Sequence, residues 1–217
     1  MMKQRRRMLM AKQINLEKLF ETATYITGGG ADGEETGTAY ILKSYLLSNQ
    51  KYYLFGYRYN DFAIFTYYNG NIIKIYQKYS TASLSIDDEG TGLRLYFGSS
   101  YDDNSLGLIA LTFGYDADLI FENLFDEIIT GGGSNLNVYI TLPLSSYTAE
   151  GKTKYFFVGN LNRFCVYKAI GITYSDLTAI YNHNLYLINY GDTSVRLSTN
   201  NSTAAGLYGY TALCAKG

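Results

Sequence analysis

Phe62-Ala63-Ile64-Phe65-Thr66-Tyr67-Tyr68-Asn69-Gly70-Asn71-Ile72-Ile73-Lys74-Ile75-Tyr76-Gln77-Lys78 is the stretch that decides how this 217-residue chain is read. Two runs of aromatic and β-branched residues flank Asn-Gly, the pair best able to supply the two positive φ angles of a two-residue type I′ hairpin turn. Such a turn sets Tyr68 opposite Asn71, hence Phe65 opposite Lys74 and Ile64 opposite Ile75. Side chains alternate across a strand, so one face of the hairpin carries Ile64, Thr66, Ile73 and Ile75, which suits a core. The other face carries Phe65, Tyr67, Ile72, Lys74 and Tyr76. That face is too aromatic to be merely solvated, and it reads as an interface or a sugar-stacking surface.

Outward from the hairpin the same pattern continues, with strands expected over 39–47, 51–57, 83–86, 93–97 and 106–113. Composition agrees: 24 tyrosines, 22 glycines, one proline and no tryptophan describe pleated sheet. At 47% hydrophobic the chain can bury a core, which excludes wholesale disorder. With only 17% charged residues there is little to build a salt-bridged coiled coil. No apolar run is long enough for a membrane-spanning helix, and no membrane partner is expected.

The chain also repeats itself, the signature of a duplicated unit. Leu16-Glu17-Lys18-Leu19-Phe20-Glu21 resembles Phe121-Glu122-Asn123-Leu124-Phe125-Asp126. Ile26-Thr27-Gly28-Gly29-Gly30 returns as Ile129-Thr130-Gly131-Gly132-Gly133, and Lys51-Tyr52-Tyr53-Leu54-Phe55-Gly56 as Lys154-Tyr155-Phe156-Phe157-Val158-Gly159, both at an offset of 103. Phe62-Ala63-Ile64-Phe65 matches Phe164-Cys165-Val166-Tyr167, Leu93-Arg94-Leu95 matches Val195-Arg196-Leu197, and Ala110-Leu111 matches Ala212-Leu213, all at 102. The expected organisation is all-β: an N-terminal arm over 1–14 and two tandem, homologous β-sandwich domains over 15–115 and 116–217. Each domain is large enough for six to eight strands. A short helix is expected at the start of each, over 15–22 with Asn15 as N-cap and over 118–127. The Gly-Gly-Gly runs then read as flexible breaks before the first strand.

Charge is distributed unevenly. Lys3, Arg5, Arg6, Arg7 and Lys12 stand in the first twelve residues with no acid among them, and without those five the chain keeps 13 basic against 19 acidic residues. A basic arm on a mildly acidic body points to docking on an acidic partner. Nucleic acid is expected to reach this protein only through the arm, because the body offers no basic groove. Met8-Leu9-Met10-Ala11 is too short for the apolar region of a signal peptide. Cys165 and Cys214 make no disulfide framework.

Candidate chemistry is sparse. The Gly-Gly-Gly runs lack the Lys-Ser/Thr of a phosphate-binding loop, and Asp32, Glu34 and Glu35 follow the first. Asp87-Asp88-Glu89, Asp102-Asp103-Asn104 and the pair Asp116 and Asp118 offer oxygen ligands but no EF-hand spacing, so turn geometry explains them and no metal or cofactor is expected. His183, in Tyr181-Asn182-His183-Asn184, reads as a turn residue with no nucleophile elbow beside it. Cys165 and Cys214 read as small core residues. Arg94 and Arg196 sit mid-strand between apolar neighbours, where each bridges to a carboxylate or reaches a partner. No catalytic residue is assigned, and the chain is read as a non-enzyme.

The Arg5-Arg6-Arg7-Met8-Leu9-Met10-Ala11 start, followed by proline-poor β domains rich in Tyr, Asn, Gly and Ser, resembles bacteriophage virion proteins, in particular tail or head appendage proteins of phages of gut bacteria. The resemblance implies a non-enzymatic structural component of the virion (tail, collar or head appendage), assembled in the bacterial host cytoplasm. It implies further that the arm anchors on other virion proteins and that the body forms a homo-oligomer. The rival expectation from another class is a carbohydrate-binding or receptor-binding β-sandwich module with a glycan partner.

Overall fold

A computed structural model describes residues 20–29, 39–58, 61–78, 83–98, 106–113, 125–135, 141–143, 154–160, 163–171, 173–191, 194–198 and 206–215. These residues form sixteen strands. The first eight are β1 (Thr24–Gly29), β2 (Ala39–Leu42), β3 (Tyr52–Arg58), β4 (Asp61–Tyr68), β5 (Asn71–Lys78), β6 (Leu84–Asp88), β7 (Gly92–Phe97) and β8 (Gly107–Thr112). The second eight are β9 (Phe125–Asn135), β10 (Thr141–Pro143), β11 (Lys154–Asn160), β12 (Arg163–Ala169), β13 (Leu177–His183), β14 (Tyr186–Asn189), β15 (Ser194–Ser198) and β16 (Gly206–Ala215). Phe20 and Glu21 carry the only α-helical backbone among the described residues. The chain is therefore all-β over what is described.

All pairings are antiparallel. One five-stranded sheet runs β1-β8-β3-β4-β5 and the other β13-β12-β11-β16-β9; two three-stranded sheets run β2-β7-β6 and β10-β15-β14. Read from β9 onward, the second eight strands are laid out in the same order as the first eight. The registers agree as well: Phe55 faces Ile64 across β3–β4 and Phe157 faces Val166 across β11–β12. This sets β3 and β11 in step at an offset of 102, not the 103 suggested by aligning their Lys-Tyr starts. Because strand side chains alternate, that single-residue difference exchanges the two faces.

Three apolar clusters follow from this layout. The central one joins Tyr53, Phe55, Tyr57, Phe62, Ile64, Ile109 and Leu111 of the first large sheet to Tyr155, Phe157, Phe164 and Val166 of the second. Phe55 stacks on Phe157 with centroids 5.0 Å apart and planes 9° apart. A second cluster lies between β3, β4 and β8 and the strands β2, β6 and β7, and contains Tyr52, Leu54, Phe65, Ile41, Leu93 and Leu95. The third lies between β11 and β12 and the pair β14 and β15. The inner strands β3, β4, β8, β11 and β12 are thus covered on both faces over most of their length. This explains why β3, β4 and β8 read as near-continuous apolar runs instead of alternating ones.

Several sequence expectations need correction. Gly28 and Gly29 lie within β1, and Gly131–Gly133 lie mid-strand in β9. They are no entry breaks: a Cβ at Gly28 would run into the Tyr40 carbonyl, so glycine permits close backbone approach there. The helix expected over 118–127 is overruled from Phe125 onward, where β9 begins and pairs with β16. Of the earlier one, 15–19 lie outside the described residues. The strand expected over 39–47 stops at Leu42, where the chain turns through a 3₁₀ turn at Lys43–Tyr45.

The Asn69-Gly70 turn forms as expected, with φ of 48° and 79°. Tyr68 faces Asn71 and Phe65 faces Lys74, but Ile64 faces Tyr76, because a bulge inserts Ile75 as an extra residue. A bulge stands at the matching place in β12–β13, between Val166 and Tyr167, with Ile180 extra. Each bulge turns two successive residues, Ile75-Tyr76 and Ile180-Tyr181, onto the central cluster.

Candidate interaction surface

The face of the hairpin singled out in the sequence is lined mostly by the protein itself. Phe65 is 2% exposed, and Tyr67 and Ile72 pack against the same cluster beneath β2, β6 and β7. Lys74 lies over the Phe65 ring, its Nζ 5.4 Å from the centroid, and donates a hydrogen bond to Ser83 Oγ at 3.1 Å. Burial holds its ammonium below the usual lysine pKa. Tyr76 is not part of this group, since the bulge carries it to the central cluster. Lys3, Arg5, Arg6, Arg7 and Lys12 of the arm lie outside the described residues.

Arg94 takes a structural position on β7. Its Nε donates to Glu89 Oε1 at 2.6 Å, and its guanidinium lies 4.9 Å from the centre of the Tyr40 ring. Asp88 pairs with Lys43 and accepts the Gly90 N–H at 2.9 Å. The hydrogen bond from Lys43, then that from Gly90, holds the Asp88 carboxyl below its ordinary pKa; the same pair holds Lys43 above its own. Two members of the Asp87-Asp88-Glu89 group are thus engaged by cations. Among the described residues no three of His, Cys, Asp and Glu are grouped so that they could hold a metal ion. The side chain of Arg196 and residues 102–104, 116 and 118 lie outside the described structure.

Cys165 is a free thiol in the third cluster, buried in apolar surroundings that push its pKa up and leave it unreactive. The Cys214 side chain lies outside the described residues. His183 ends β13 opposite Phe164. The central cluster leaves a small, partly open pocket of about 10 Å³ lined by Phe55, Tyr57, Phe157 and Phe164, near the lower limit for one water molecule. No helix among the described residues is long and apolar enough to cross a membrane.

What remains open to solvent is more informative than what is enclosed. Beyond the reach of the facing sheet, the β4–β5 hairpin exposes Ile73 at 59% and Tyr68 at 41%. Thr66 pairs with Ile73 and Tyr68 with Asn71, so Ile73 and Tyr68 are diagonal neighbours on one face. Alternation in the sequence places Ile73 in a core, but it carries no information on how far the opposing layer extends. Ile170, just past β12, is 63% exposed. No protein-family model, no curated protein and no solved structure matches this chain.

Proposed function

We propose that the chain is a non-enzymatic structural component of a bacteriophage particle, acting through protein–protein interfaces with its basic arm as anchor. On this reading it consists of two tandem copies of one β-sandwich unit. The strand-by-strand correspondence of order, register and bulge position supports the duplication. The pairing of each five-stranded sheet with a three-stranded one over its own cluster supports the sandwich. The observation that carries the functional reading is where the apolar surface lies. One aromatic face of each large sheet joins the two halves and the other is covered within its own half, while an exposed apolar hairpin end is left at a sheet edge.

The test is made on particles. Mass spectrometry of purified virions from a phage encoding this frame is expected to find the chain in stoichiometric amount. A variant lacking residues 1–12 is expected to fold yet fail to incorporate; normal incorporation would remove the arm's role, and absence of the full chain from particles would remove the virion reading. A second reading, glycan or receptor binding, draws on the exposed rings of Tyr45, Tyr68 and Tyr190. A saturable hit on a glycan array, lost in Tyr68→Ala, would favour it.

A further inference from the structure

An edge strand offers a row of unpaired N–H and C=O groups, and natural proteins guard such rows with charge, above all with lysine. Among the described residues the five-stranded sheets end at β1 and β5 and at β9 and β13, and β5 and β13 occupy matching ends of the two layouts. The two edges differ in what they expose. On β13 the exposed side chains are Thr178, Ala179 and Asn182, small or polar groups that gain little from being covered. On β5 up to Gln77 they are Asn71, Ile73 and Gln77, with Tyr68 beside Ile73; the Lys78 side chain lies outside the described residues. Lys74, the cation in the segment from Asn71 to Gln77, is turned inward over Phe65 and hydrogen-bonded to Ser83. From Tyr68 to Ile73 the chain carries no charge at all.

We infer that β5 pairs antiparallel with β5 of a second copy of this chain, about a twofold axis at Ile73, so that two five-stranded sheets join into one. The inference rests on the protein–protein reading above and names the partner. The register proposed suits the side chains. Centred on Ile73, it sets Ile73 against its own image, Ile72 against Lys74 and Asn71 against Ile75, so no two lysines face each other. Centred on Lys74, it would oppose two ammonium groups, and like charges directly across a sheet are destabilising. Centring on a residue also keeps each side chain on its own face, so Ile73 and Tyr68 of both copies merge into one covered patch. The bulge at Ile75 bends the strand beyond this segment. The pairing is therefore short, and its twofold symmetry closes on a dimer without propagating a fibre.

Residues facing across an antiparallel pair lie about 4.5–5.5 Å apart at Cα, within disulfide range. In a Cys214→Ser background, with Cys165 buried, Ile73→Cys is expected to form a disulfide-linked dimer under mild oxidation, and Ala179→Cys on β13 is not. Sedimentation of the unmodified full chain is expected to show a concentration-dependent dimer. Ile73→Lys is expected to remain monomeric at a tenfold higher concentration with an unchanged β-sheet circular dichroism spectrum. The inference is overturned if the unmodified chain stays monomeric at hundreds of micromolar, if Ile73→Lys still dimerises, or if Ala179→Cys crosslinks as readily as Ile73→Cys. A monomer that is nonetheless recovered from virions would sink this pairing and leave the particle reading standing.

Discussion

Tyr57 is a ring held in a slot. It is 2% exposed, and a Cβ placed on Gly107 of β8 or on Gly159 of β11 would collide with its ring carbons. The two glycines come from opposite halves of the chain, so this side chain is a contact between the large sheets. Gly159→Ala is expected to destabilise by about 1–3 kcal/mol, the usual range for forcing atoms into a packed core. Urea denaturation checks this, and adding Tyr57→Leu should recover part of the loss, since neighbours couple. Buried phenols also set a pH dependence. Burial raises the pKa of Tyr25 and Tyr57 well above the ordinary value and pushes Tyr167 up to about 12. In the unfolded chain these groups ionise near pH 10. Above that pH the unfolded state binds fewer protons than the folded one, so stability falls as pH rises. Thermal melts are expected to be insensitive to these phenols below about pH 9 and to drop in Tm above about pH 10. A Tm that holds steady from pH 9 to 12 would contradict the burial of these rings.

The hairpin shows what a local signal can and cannot carry. Both turn residues have positive φ, and nothing lies within 4 Å of a Cβ placed on Gly70. Gly70→Ala therefore tests backbone strain without steric conflict and is expected to cost about 1–2 kcal/mol, measured by chemical denaturation. The turn was legible because Asn-Gly is a statement about φ alone, and the flanking strands because alternation is a statement about neighbours on one face. The bulge was not: Ile72-Ile73-Lys74-Ile75-Tyr76 alternates as well without an extra residue as with one. The choice depends on the central cluster, which takes both Ile75 and Tyr76. β1 was also hidden, since Thr24-Tyr25-Ile26-Thr27-Gly28-Gly29 looks like a loop until β8 is laid beside it. At Phe125–Glu127 the helical spacing of apolar residues was genuine but lost to pairing with β16, where strand hydrogen bonds outweigh a weak local preference. Of the candidate surface, the aromatic face was visible in sequence. Its covering by β2, β6 and β7 was not, because that contact joins separate segments of the chain that no local pattern links.

At the scale of the whole molecule the decisive feature is that the central cluster belongs to neither half alone. Phe55 stacks on Phe157, Phe20 packs 4.8 Å from Tyr155 and 5.2 Å from Phe157, and Tyr25 of β1 stacks on Tyr181 of β13 at 4.1 Å. Separating the halves would expose Tyr53, Phe55, Tyr57 and Ile64 on one side and Tyr155, Phe157, Phe164 and Val166 on the other. At roughly 25 cal/mol per Å² of apolar area, with aromatic side chains burying about 150–250 Å² each, those faces alone hold far more than the few kcal/mol by which a domain is stable. Neither half is then expected to unfold while the other stands. Phe157→Ala, a substitution in the second half, is expected to cost about 3–5 kcal/mol. It should shift one common transition, reported alike by far-ultraviolet dichroism for the sheets and near-ultraviolet dichroism for the tyrosines. If the halves were independent, the variant would melt in two steps, with the first half keeping the unmodified Tm. A single shifted transition would mean that the two halves act as one cooperative body joined through the central cluster.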